Sequence, residues 1–126
     1  MIRRSDNSYV IVEIETASKI MVTRAGQMSA YVSQAVRQGI DYRAFILERL
    51  LEARRHFPDI HEPDILVVIG LECSLDTEQA RALQEENRSR SKLRIVGFDW
   101  ILNRSQAVLS NVTASRVEVI KNYRVV

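Results

Sequence analysis

Three short runs rich in β-branched residues alternate with stretches of helical period, and this order constrains the fold more than any other feature of the chain. The runs are YVIVEIE at 9–15, DILVVIG at 64–70 and LRIVGF at 93–98. The first alternates, as a half-buried strand does, with Val10, Val12 and Ile14 on one face and Tyr9, Ile11, Glu13 and Glu15 on the other. The second is a continuous apolar run, the pattern of a strand buried on both faces. Residues 115–126 are strand-like again, with Val117, Val119 and Tyr123 among polar residues. Between the runs the order is β-α-β-α-β-α-β, which predicts an α/β domain built on one mixed sheet with flanking helices.

The helical stretches carry their own signals. From about 26 to 57, Met28, Tyr31, Val32, Ala35, Gly39, Tyr42, Ile46, Leu50 and Ala53 recur every three or four residues and define one apolar stripe. Gly39 inside that stripe costs about 1 kcal/mol relative to Ala, so it marks either close backbone packing or a bend. Pro58 and Pro63 punctuate a loop. Asp76 with Gln79 three residues on forms a capping-box pattern for a helix reaching about Ser89, with Ala80, Leu83 and Asn87 turned inward. Asp99 caps a last helix expected over 100–110. The cations of 88–94 (RSRSKLR) end a helix, where they complement its dipole, a reading preferred to the alternative of a DNA-contact loop.

One domain spanning 1–126 follows from the length, and 46% hydrophobic with 27% charged residues is an ordinary globular balance. Eighteen Lys and Arg against sixteen Asp and Glu give +2, too little to mark a nucleic-acid binder by charge alone. No apolar run approaches the roughly 20 residues of a membrane helix. The basic start Met1-Ile2-Arg3-Arg4 leads into apolar residues interrupted by Glu13 and Glu15, unlike a signal peptide. A single cysteine, Cys73, excludes an intrachain disulfide and fits a reducing, cytoplasmic setting.

Few residues have the spacing of a reactive site. The four glycines at 26, 39, 70 and 97 form no phosphate loop, and His56 and His61 lack a third ligand for zinc. Cys73 has no evident base, and Met21 and Met28 read as core fillers. Glu13 and Glu15 stand out, since they project from one strand face roughly 7 Å apart. Gln38 and Tyr42, four residues apart, share a helix face. Hard divalent cations take one or two carboxylates and fill the remaining positions with water and phosphate. Such a pair can hold an ion of this kind, although ExE pairs on strands are more often solvated or paired with arginine.

The segments Val12-Glu13-Ile14-Glu15, Ala35 to Tyr42 (AVRQGIDY), the strand ending in Gly70 and Ile95 to Ile101 (IVGFDWI) resemble, in order and spacing, the Shedu family of bacterial anti-phage proteins and its DUF4263 domain. The resemblance covers roughly 9–110. It implies a PD-(D/E)xK nuclease with a restriction-endonuclease-like three-layer core that cuts DNA using Mg²⁺ or Mn²⁺. By that resemblance Glu13 is the main metal ligand and Glu15, at the usual lysine position, a second ligand or water-orienting carboxylate. Gln38 becomes a positioning group, supported by Tyr42. Lys19, Arg24, Arg37 and Arg43 become candidate phosphate contacts, with Lys19 able to stand in for the displaced lysine.

Two departures matter. Glu15 replaces lysine, and the strand that carries the family's upstream aspartate has only Met1 to Arg4 to form it, with Asp6 the one upstream candidate. The chain is then either a piece of a longer protein or a nuclease fold with an incomplete site. The alternative function is an inactive nuclease-fold module that binds DNA or joins subunits; a structural assembly domain without nucleic acid is a third. An exposed strand at 9–15 also predicts self-association, as a dimer, and 115–126 could add a strand to a partner's sheet.

Overall fold

The structure, a computed structural model, describes the backbone of residues 1–124 and the side-chain surroundings of residues 1–113. The strands are β1 (Ile2–Arg3), β2 (Tyr9–Ile14), β3 (Asp64–Val68) and β4 (Leu93–Val96). The helices are α1 (Ala30–Glu48), α2 (Leu50–His56), α3 (Thr77–Ser89) and α4 (Phe98–Arg124), with a 3-10 turn at Glu72–Ser74. Among the described residues the sheet runs β1-β2-β3-β4, antiparallel between β1 and β2 and parallel thereafter. The mixed α/β fold read from the sequence is therefore the observed one. Its layers are compatible with a restriction-endonuclease-like core: α1 and α3 cover one sheet face, and the first turns of α4 border the other.

The α1 face holds the core. Tyr9 and Ile11 of β2, Ile65 and Val67 of β3 and Leu93 and Ile95 of β4 meet Val32, Ala35, Val36 and Ile46 of α1 and Leu83 of α3. Fully burying such side chains stabilises by about 1.5–3 kcal/mol each. At the sheet edge, Tyr9 packs edge-on to Phe57 and its hydroxyl donates to the Pro58 carbonyl at 2.9 Å.

Four expectations change in the structure, and one alternative left open at Gly39 is decided. The first hairpin strand is present, as β1, but pairs only Ile2 with Val10 and Arg3 with Tyr9. The long helix begins at Ala30, because Ser29 Oγ accepts the Val32 N–H at 3.2 Å, and breaks at Arg49. On α1, Tyr31 and Tyr42 are about half exposed, and Arg43 occupies the buried stripe with a side chain only 17% exposed. Gly39 marks close packing: an added Cβ would lie 2.7 Å from Ile65 Cγ2. Finally, 115–124 continue α4, while Val125 and Val126 lie outside the described residues. No Gly or Pro follows Gly97 to stop that helix. A lone strand there would need a neighbour for its backbone groups, whereas a helix satisfies its own.

The outer edge of β4 is already occupied. Asn87 of α3 donates to the Ile95 carbonyl at 2.9 Å and accepts the Ile95 N–H at 2.8 Å, as an adjoining strand would.

Candidate functional site

The two carboxylates stand at the C-terminal end of β2, where open α/β sheets place ligands. Alternation along β2 turns Glu13 toward α1, in register with Val67 of β3. Glu13 is half-buried because α1 crosses the sheet at Gly39, where a Cβ would stand 3.7 Å from Glu13 Cγ. Its carboxylate has no hydrogen-bond or ion-pair partner among the described residues.

Glu15 lies one residue past β2, but its N–H still donates to the Val68 carbonyl at 2.8 Å and continues the ladder. The chain then folds back through a turn in which the Lys19 N–H donates to the Thr16 carbonyl. Gly70 permits this close approach. Its φ is +64°, and a Cβ there would lie 2.6 Å from Met21 Cγ and 2.7 Å from the Lys19 carbonyl oxygen. The turn brings Lys19 Nζ to 2.5 Å from Glu15 Oε2 and to 4.8 Å from the Tyr31 ring centroid. The ion pair and the cation–π contact together hold the ammonium beside the Glu15 carboxylate.

On α1, Gln38 precedes Gly39, and Tyr31, Gln38, Tyr42 and Phe45 follow one another at helical spacing along one exposed flank. Lys19 over Tyr31 joins that flank to Glu15. Gln38 and Tyr42 are exposed, so the tyrosine does not pack behind the glutamine. Arg24 lies exposed in the loop before α1, and Arg37 is exposed on the outer side of the helix. Arg43 is engaged elsewhere: it faces Glu62 at 3.9 Å, and one of its guanidinium nitrogens is buried without a partner.

A second acidic pair holds the ends of β3 and β4. Asp99 accepts the N–H groups of Glu72 at 2.9 Å and Cys73 at 2.8 Å, and Gly97 leaves the space for it. Burial pushes the Asp99 carboxyl up, but these hydrogen bonds outweigh it and hold the group below its ordinary value. Burial foremost raises Glu72; the Gly97 N–H opposes that shift and the Asp99 charge reinforces it. The hydrogen bond with Asp99 foremost raises the Cys73 thiol, so this exposed cysteine is a poor nucleophile.

Among the described residues no three His, Cys, Asp or Glu side chains form a metal-binding group. Two carboxylates are a donor set suited to Mg²⁺ or Mn²⁺ and not to zinc. The sequence singled out Glu13, Glu15, Gln38 and Lys19, and the structure sets them at one end of β2 and the adjoining helix. It missed Tyr31, whose place on the apparent apolar stripe hid its exposure. Among the described residues no helix is long and apolar enough to cross a membrane.

The family model described as Shedu protein SduA, C-terminal, matches residues 1–102. No curated protein matches the chain.

Proposed function

The chain belongs to the family of the Shedu protein SduA C-terminal domain, and from that premise we propose that it is a DNA nuclease domain dependent on Mg²⁺ or Mn²⁺. Membership places it with bacterial anti-phage defence proteins; the phosphodiesterase activity is our reading. The observation that carries it is the half-buried Glu13, without an ion-pair partner among the described residues, two positions along the chain from Glu15 and its ion pair with Lys19 at the end of β2.

Glu13 and Glu15 would hold the ion. Bound there, it supplies Lewis-acid polarisation of the phosphodiester and a lowered pKa for its water. Among the described residues Glu13 has no cation to give up before binding, whereas Glu15 shares its charge with Lys19. Lys19 donates to Glu15 in the resting chain and would offer its ammonium to the negative charge developing on the phosphoryl oxygens, the task of the displaced lysine. Gln38 positions the reacting groups from α1, and Arg24 and Arg37, both exposed, take phosphates. Arg43 contributes least, being committed to Glu62.

Cleavage of supercoiled and linear DNA in Mg²⁺ and in Mn²⁺ tests this. Metal-dependent cutting is expected, abolished in Glu13→Ala and reduced about 10²-fold or more in Lys19→Met. Cutting at the Glu13→Ala level by the intact sequence overturns it. The absence, among the described residues, of a group of three ligating side chains favours one second reading, an inactive module that binds DNA or a partner subunit. Self-association is part of our reading as well: β1 covers only Tyr9 and Val10, leaving the edge of β2 open beyond them. A monomer by sedimentation at micromolar concentration refutes it.

A further inference from the structure

The sheet face turned away from Glu13 carries a basic groove of about 540 Å³, between the even-numbered residues of β3 and β4 and the start of α4. Four cations line it: Arg4, Lys92, Arg94 and Arg104. Arg4 is paired with Asp64, and Lys92 shares the Glu62 carboxylate with Arg43, so both are engaged by carboxylates. Arg94 and Arg104 form no ion pair among the described residues, although the Glu72 charge reaches Arg94. Both guanidinium groups instead converge on one indole, at 4.9 Å and 5.0 Å from the Trp100 ring centroid. Bringing two like charges to one ring costs repulsion that the ring only partly offsets. An anion between or beside them removes that cost, and guanidinium pairs suit phosphate in particular.

We propose that this groove is a second DNA-contact site, in which Arg94 and Arg104, held by Trp100, grip the sugar-phosphate backbone on the face opposite the carboxylates. The proposal rests on the DNA reading above but names a separate surface. Two arginines without an ion pair among the described residues thus share one concavity with a tryptophan between them.

Trp100 is the chain's single tryptophan, so its emission reports on this groove alone. The test titrates the protein with a short DNA duplex in EDTA, following Trp100 emission and the anisotropy of labelled DNA across a salt series. A saturable change in emission is expected, reversed by salt. Arg94→Glu with Arg104→Glu, both at exposed positions, should weaken binding at least about tenfold near 0.1 M salt and lower the salt slope by about 2. Binding by anisotropy with unchanged Trp100 emission, or with the same affinity and slope in the double variant, overturns the site and leaves the DNA reading intact. Emission that shifts with protein concentration alone assigns the groove to a second copy and also overturns it. Absence of any duplex binding overturns the groove as well, while metal-dependent cutting, read separately through Glu13→Ala, still decides the nuclease reading.

Discussion

Gly39 shows how one atom fixes the site. The helix can approach β2 and β3 only because there is no Cβ to meet Ile65, whose branched side chain is buried in the sheet and cannot swing aside. Gly39→Ala gains about 1 kcal/mol of helix propensity but should lose about 1–3 kcal/mol to overpacking. Net destabilisation in urea unfolding is expected, together with displacement of α1 from Glu13; a stabilised variant would show that the contact yields. The Glu72 and Asp99 carboxyls give the residue scale a pH signature. Asp99, held below its ordinary 3.8, stabilises the fold above that value and loses this contribution as pH falls through its folded pKa. Asp99→Asn should therefore cost stability at neutral pH, about 1 kcal/mol, with the difference from wild type vanishing in acid. Glu72 behaves oppositely. Raised above its ordinary 4.5, it penalises the native state increasingly as pH climbs through that value toward its folded pKa. Glu72→Gln should gain on wild type over that window and match its trend below it, as thermal unfolding against pH will show.

Elements are held in place by contacts that their own patterns do not announce. The capping box of α3 was legible, and it forms: Asp76 accepts the Gln79 N–H at 2.8 Å while Gln79 accepts the Asp76 N–H at 3.0 Å. The Gln79 amide also donates to the Val22 and Thr23 carbonyls, which ties α3 to the loop before α1. Asn87 was legible only as an inward position, whereas its two bonds to Ile95 make it the closing edge of the sheet. Asn87→Leu should destabilise by about 1–3 kcal/mol, since both Ile95 backbone groups lose their partner, and should promote association through the freed edge. Asn87→Asp retains the acceptor and should fall between Leu and wild type. Unfolding free energy and sedimentation velocity measure the two effects separately.

At the scale of the whole molecule, α4 departs from the domain. After Ile101 its residues through 113 are exposed, including Leu102, Val108, Leu109 and Val112. Within the isolated chain Leu109→Gln should change the unfolding free energy by no more than about 0.5 kcal/mol. A larger loss, dependent on protein concentration, would reveal that this helix is buried against a second copy. The sheet order explains why the carboxylates and the basic groove lie on opposite faces: period two sends Glu13 to the α1 face and Arg94 to the other, with register fixed by β3 between them.

Strands close to 9–15, 64–70 and 93–98 and the α3 cap were readable in the sequence, because they follow from period and from contacts within a few residues, although the strands end at Ile14, Val68 and Val96. Its order of motifs also carried the family. Tertiary structure decided the rest. Tyr42 and Arg43 are neighbours on α1, and a periodicity argument prefers the aromatic for burial. The crossing of α1 over the sheet at Gly39 instead turns the arginine inward toward Glu62 and leaves the tyrosine in solvent. The valines of 115–124 favour strand locally, but with the β4 edge closed by Asn87 that edge has no place for them, and the helix runs on. Lys19 reaches Glu15, and two arginines reach Trp100, through turns and crossings whose geometry exists only once the sheet is assembled.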